Sequence, residues 1–343
     1  MTETMQLRLG ELANRCGAFS PETIVKVERF GYSTGLAPRV TIIIPVHNQA
    51  EVIRTHLEAI RDATAEAHEF IVIADGCTDS SAEIATAWGR EANMGVQTIG
   101  ITIVRIDDGV FETMSDTVGA ALARGEYLIE VQADMLVWER GYDRVLIRAL
   151  ESSPELIAVS GRGGHAFGLV VPGHSAGLVG PASRKVFGLK AKMLKRYRAN
   201  RAELHLSDSI GRIGALIEYP AIVTGRRMVY VHETVMRGPW AIKRADFGML
   251  EGFDTERFFL GNDDHDLAMR ALVEHGRRVG FVPLGFDSPI DLGSTRAPRP
   301  PEAQRRFAEL KRYYDARFAD STLARRIDGL KAPRRYRVEV APE

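Results

Sequence analysis

The feature that most constrains this chain is a repeated alternation between continuous apolar runs and segments of helical period. "VTIIIPVH", beginning at Val40, is an unbroken β-branched run, the pattern of a parallel strand covered on both faces. Glu51 to Ala65 follows, with Val52, Ile53, Leu57 and Ile60 at near-helical spacing. "EFIVIAD" reads as a second buried strand, and "DGCTDSS" as a turn in which Asp79 or Ser80 caps a helix over Ala82–Arg90. "GITIVRI" predicts a third strand, Ser115–Arg124 a helix, and "EYLIEVQ" a fourth strand. Such alternation implies right-handed crossovers, an α/β fold with a mostly parallel central sheet flanked by helices, and ligands at the carboxyl ends of the strands. Asp75, Asp79 and Asp134 all fall at those ends.

Composition narrows the function classes. With 343 residues, 45% of them hydrophobic, the chain can bury a large core as one α/β domain or one plus a smaller lobe. Lys+Arg and Asp+Glu each total 45, so no global field argues for nucleic acid or a membrane surface. Cys16 and Cys77 give no disulfide framework and fit a reducing cytosol. The N-terminus lacks signal-peptide order, and no apolar run approaches the roughly 20 residues that span a bilayer. These features predict a cytoplasmic protein.

Local patterning divides the chain into a helical N-terminal extension (1–38), a main domain (39–295) and a helical C-terminal tail (296–343). The turn-rich "GYSTGLAPR" marks the first boundary. Within the main domain, 160–224 breaks the alternation: it is Gly-rich, then strongly basic over 184–201, "RKVFGLKAKMLKRYRANR". That basic stretch reads either as a solvated helix face or as a contact for an anionic acceptor or lipid headgroup, which would put the protein peripherally at the inner face of a membrane.

Four stretches, "VTIIIPVHNQAEVI", "EFIVIADGCTDSSAEIA", "ARGEYLIEVQADMLV" and "GFDTERFFLGNDDHDLAMR", occur in the order seen in family 2 glycosyltransferases of the GT-A fold, which the chain resembles from about Val40 to Gly285. The resemblance implies a nucleoside-diphosphate sugar as donor, UDP or dTDP favoured and GDP possible, and a glycan or lipid-linked acceptor. It also implies a Mg²⁺ or Mn²⁺ ion, a hard cation that takes carboxylate oxygens and offsets diphosphate charge. Asp134 matches the last position of the family's Asp-x-Asp motif and is the expected metal ligand, with Gln132 in place of the first acid. Asp75 matches an acid that accepts from the base, while Pro45, His47 and Glu51 match positions lining the nucleotide pocket. His47 is also readable as a simple loop histidine.

The pattern Glu-Asp-x-Asp-Leu-x-x-Arg maps onto Asp263, Asp264, His265, Asp266, Leu267 and Arg270, which makes Asp264 the general base for an acceptor hydroxyl. Asp263 falls on the acceptor side, and Asp266 is expected to orient its helix. Trp240 is a candidate sugar platform, equally readable as a core residue. The chain departs from the family at Thr117, where relatives carry Asn. It also lacks a histidine in "GFVPLGFDSPIDLG", where Asp287 and Asp291 are the candidates to complete the metal site. A nucleotidyltransferase would want a Gly-rich loop after the first strand and a dinucleotide oxidoreductase would want G-x-G-x-x-G; "IIIPVHNQAE" has neither. A non-catalytic relative that binds sugar nucleotides is the remaining alternative, motivated by Gln132 and the missing histidine.

Overall fold

The computed structural model describes residues 2–17, 19–32, 37–91, 98–162, 228–232 and 234–287, scattered positions between 301 and 312, and 337–339. The basic stretch 184–201, Asp291 and most of the C-terminal tail lie outside the described residues.

Four parallel strands form the centre. These are β3 (Val40–Val46), β4 (His68–Asp75), β5 (Thr98–Ile106) and β6 (Tyr127–Glu130), in the order β5-β4-β3-β6. Their crossovers are α2 (Ile53–Ala63), α3 (Ser81–Glu91) and α4 (Phe111–Leu122). The continuous β-branched runs are explained by burial on both faces: every residue of β4 is buried, and β3 sends Ile42 and Ile44 to one core and Ile43 to the other. Trp88 of α3 meets Phe70 of β4 edge-on, with ring centroids 5.4 Å apart. Because the four strands run the same way, the loops after Val46, Asp75, Ile106 and Glu130 open on one edge of the sheet.

Antiparallel strands extend this centre on both sides. Beyond β6 lie β10 (Met236–Lys243), antiparallel to both β6 and β8 (Leu156–Arg162), and then β11 (Arg278–Phe281), parallel to β8. Further out come β9 (Met228–His232) and β13 (Arg337–Glu339). A separate two-stranded ribbon pairs β7 (Leu136–Val137) with β12 (Phe286–Asp287). Helix α5 (Tyr142–Glu151) covers the face shared with α2 and α3, while α6 (Arg244–Met249) and α7 (Asp263–His275) join α4 on the other.

Two expectations about the ends are corrected. The N-terminal extension is mainly strand: β1 (Thr2–Arg8) and β2 (Ile24–Phe30) pair with each other, and β2 joins β5, with only a short helix α1 (Leu9–Leu12) between them. Its alternating pattern, with Val25 and Val27 buried and Ile24 and Lys26 exposed, is the period of a strand with one wet face. At the other end, Arg337–Glu339 is a strand on β9 rather than part of a helix.

Helix α4 lies close on the sheet because Gly119 has no side chain: a Cβ there would sit 2.6 Å from Ile43 Cγ2. Gly119→Val is therefore expected to push α4 off β3 and destabilise the fold by about 1–3 kcal/mol. Thermal or urea denaturation checks this, and an unchanged midpoint would show that the contact relaxes freely.

Candidate active site

The first two strand ends are locked together by short polar groups. Asn48, in the left-handed region at φ 51°, accepts at its side-chain oxygen from the Thr78 amide (2.8 Å) and the Asp79 amide (3.3 Å). Asp79 caps α3 by accepting from the Ser81 amide at 2.9 Å, and it also takes the Ala50 amide at 3.0 Å. Hydrogen bonds from Ser81 and Ala50 hold its carboxyl below the usual range, against a rise from burial. His47, exposed, contacts the Asp75 carbonyl through Nδ1 at 2.7 Å; Pro45 is half-buried and Glu51 exposed on the same rim.

Asp75 has a partner that the sequence did not suggest. Its carboxylate is buried, 6% exposed, and accepts the Val110 amide at 2.6 Å. It thereby fixes the loop entering α4, where Phe111 is held at φ 61°. Burial raises its pKa above the ordinary carboxylate value, with the Val110 amide pulling the other way. Asp75 is thus a buried brace at the end of β4.

The strand end after β6 carries the degenerate motif. Asp134 is half-buried in the turn after β6. Beneath it the buried His56 of α2 contacts the Ala133 carbonyl through Nδ1 at 2.6 Å; since a carbonyl only accepts, that nitrogen carries the proton. Burial lowers the His56 pKa, so the ring is neutral near pH 7. This support is absent from the sequence reading, although a histidine on the inward face of α2 was its signal. The β7–β12 ribbon sets Asp287 opposite Leu136, two residues past Asp134, so a second carboxylate stands on the strand beside the motif. Gln132 is engaged elsewhere: its amide donates to Glu112 at 2.7 Å and its carbonyl accepts from Arg162 at 3.1 Å. An aspartate there could not donate to Glu112, which explains the departure from Asp-x-Asp.

Behind this turn lies a buried cluster of charge. Oxygens of Glu112, Asp116 and Glu130 lie within 4.8 Å of one another, a spacing that suits a cation. The cation there is the Arg237 guanidinium, 4% exposed. It contacts Asp116 through Nη1, Asp263 through Nη2 at 2.9 Å, Glu112 at 3.3 Å and Glu130 at 3.8 Å. Arg237 is aimed inward by a bulge in β10 between Met236 and Trp240. The bulge needs Gly238: φ is 72°, and a Cβ would meet Met135 at 2.9 Å and Gln132 at 3.1 Å.

Helix α7 carries the proposed base. Of its first-turn acids, Asp263 is 1% exposed and Asp266 is fully buried, whereas Asp264 is half-buried, with Oδ1 accepting the His265 amide at 2.8 Å. The acceptor-side expectation for Asp263 is corrected: it is held by Arg237 and by the Thr113 hydroxyl at 2.7 Å. Asp266 pairs with Arg270 at 2.8 Å, and Arg270 donates to the Gly252 carbonyl at 2.8 Å, so Asp266 organises the helix and the loop before it. For Trp240 the structure favours the core reading of the two left open by the sequence. Trp240 is 4% exposed and packs against Phe253, ring centroids 5.9 Å apart, leaving no open face for a sugar. At the departure from the family's Asn, the Thr117 hydroxyl donates back to the Thr113 carbonyl at 2.9 Å.

The charge cluster has a pH signature. Burial pushes the Asp116 carboxyl up to about 8 against the pull of Arg237, with Glu112 and Asp263 adding to the rise. A carboxyl raised on folding keeps its proton where the unfolded chain has lost it. Its contribution is full below the unfolded value of 3.8 and is lost as pH rises through about 8. The melting temperature of the protein is expected to fall over that window, with a shallower slope in Asp116→Asn. Equal slopes in the two proteins would remove Asp116 as a source.

Residues 41–202, just under half of the chain, match the model of the family described as Glycosyl transferase family 2. Among curated proteins, the chain is 29% identical over 122 residues to "Uncharacterized glycosyltransferase YibD" of Escherichia coli, covering 33% of this chain and 31% of the relative. It is 27% identical over 124 residues to "Putative glycosyltransferase EpsH" of Bacillus subtilis, covering 35% and 33%. The chain thus spans about a third of the length of the curated relatives it matches. Similar solved structures include the mannosyltransferase PcManGT from Pyrobaculum calidifontis in complex with GDP-Man and Mn²⁺ (16% identity, 87% of this chain, 75% of that chain, TM-score 0.46). The S. aureus TarS complex with UDP-GlcNAc is another (14% identity, 86% and 71%, TM-score 0.47). Residues 41–202 of the chain are thus similar to the family 2 glycosyltransferases.

Proposed function

We propose that the protein is a metal-dependent, inverting glycosyltransferase that moves a sugar from a nucleoside-diphosphate sugar to an acceptor hydroxyl, in surface glycan or glycoconjugate synthesis of bacterial type. The observation that carries this reading is that the family match spans the strand-end edge bearing Pro45, His47, Glu51, Asp75 and Asp134. The nucleotide would lie over the Asn48–Asp79 clasp, with Pro45, His47 and Glu51 on its rim and Asp75 at its floor. UDP and dTDP donors fit an acid facing a pyrimidine N–H, and GDP is the other candidate. The basic stretch 184–201 is proposed to meet an anionic, lipid-linked acceptor. Among the described residues no helix is long and apolar enough to cross a membrane.

Carboxylates at the motif are hard oxygen donors, the chemistry that Mg²⁺ and Mn²⁺ require. Asp134, with Asp287 beside it, would hold such an ion, whose contribution is to offset charge on the departing diphosphate. Asp264 does the proton work. The acceptor oxygen attacks the anomeric carbon, the bond from that carbon to the diphosphate oxygen breaks, and the hydroxyl proton passes to the Asp264 carboxylate. One displacement with one base inverts the anomeric centre.

Two substitutions test the division of labour. Asp134→Ala is expected to abolish Mn²⁺-dependent binding of a nucleoside diphosphate, and calorimetry showing wild-type affinity would exclude Asp134 as the ligand. Asp264→Asn keeps shape but cannot take the proton, so kcat should drop on the order of 10²–10⁴-fold with donor affinity nearly unchanged. Near wild-type turnover in Asp264→Asn would move the base elsewhere.

A further inference from the structure

We infer that Arg237 is a positioning residue that holds the helix bearing the base through Asp263, so that the placement of Asp264 is set from the acid cluster behind the metal-motif turn. The inference rests on the transferase reading above. It starts from connectivity. The Asp264 amide donates to Asp263 Oδ1 at 3.0 Å, while Asp263 Oδ2 is held by Arg237 at 2.9 Å and Thr113 at 2.7 Å. On the other side Arg237 contacts Glu112 at 3.3 Å, and Glu112 accepts the Gln132 amide at 2.7 Å. A continuous chain of polar contacts, Gln132–Glu112–Arg237–Asp263–Asp264, therefore joins the turn after β6 to the start of α7.

The shape of the guanidinium matters as much as its charge. Nη1 serves Asp116 and Glu130, and Nη2 serves Glu112 and Asp263, so the fork reaches α4, β6 and α7 at once. Phe253 lies across its face at 4.9 Å. A lysine ammonium could supply the charge but not the two-sided reach. Glu130 and Asp116 are each 3% exposed, and both Glu130 oxygens and Asp116 Oδ1 accept no hydrogen bond among the described residues. The cluster thus depends on Arg237 for its compensation, and a spacing that suits a metal ion is filled by a side chain.

The test uses the full chain with UDP-GlcNAc and GDP-mannose as probes, with Mn²⁺, reading donor hydrolysis. In that reaction water attacks the anomeric carbon, the carbon–diphosphate bond breaks, and the nucleoside diphosphate leaves as the proton passes to Asp264. Arg237→Lys is expected to keep nucleoside-diphosphate affinity within about two-fold while kcat falls on the order of 10- to 100-fold, the cost of small misplacement at a reacting centre. Thr113→Val, which removes only one bond to Asp263, should lower kcat by about 3- to 10-fold. Hydrogen exchange should rise at residues 262–267 in both variants and remain as in wild type over β3 and β4.

Unchanged kcat together with unchanged exchange at 262–267 in Arg237→Lys would overturn the inference, as would a loss of nucleotide affinity at constant kcat. A global rise in exchange would reduce Arg237 to a stability role and so also overturn it, unless the milder Thr113→Val shows the kcat loss with a local rise alone. If wild type hydrolyses neither donor, the transferase reading fails for those donors. The exchange data then decide Arg237 by themselves, a local rise at 262–267 supporting it and no rise refuting it.

Discussion

One buried guanidinium among four carboxylates is the constraint around which this site is built. An isolated acid inside a protein carries a desolvation cost of several kcal/mol, and clustered acids repel one another as well. Here Glu112, Asp116, Glu130 and Asp263 come from α4, β6 and α7, and Arg237 is the charge that lets these elements meet. Burial raises the Asp116 carboxyl above its ordinary range against the pull of Arg237, with Glu112 and Asp263 adding to the rise. The bulge in β10 and the side-chain-free Gly238 follow from the need to aim Arg237 inward.

In front of the cluster, the parallel centre presents its strand ends as one edge, and each end is braced differently. Asn48 and Asp79 clasp the first two loops, Asp75 pins the entry to α4, and His56 holds the motif turn from below through the Ala133 carbonyl. Polar groups that the family resemblance would assign to ligand are in several cases bonded to backbone. Asp134, His47, Glu51 and Asp264 are the members of the set that reach solvent, all half-buried or exposed.

The parallel centre was legible because burial on both faces leaves unbroken apolar runs, and the helices between showed their period. The N-terminal strands were not: "TETMQLR" has few apolar residues, and its partner "IVKVERF" alternates like an edge strand with one wet face. Asp264 and Asp134 were found through motif order. The role of Asp263 was missed, and that of Trp240 was left open between platform and core, because motif position does not report burial and both are buried. Arg237 left only a faint mark, a single cation in the apolar stretch "VMRGPWAI", with its counterpart Glu130 alone in "YLIEV". Pairing two such lone charges across a sheet requires knowing that β6 and β10 are neighbours, which sequence order does not disclose.

The division between a metal turn in front and an arginine-filled acid cluster behind can be tested by diffraction. Crystals grown with Mn²⁺ and a nucleoside diphosphate, measured at the manganese absorption edge, would locate the ion by its anomalous signal. A single peak bonded to Asp134, with Arg237 still seated among Glu112, Asp116 and Glu130, is the expected result. A manganese peak inside that acid triad, with the Arg237 guanidinium displaced, would contradict it.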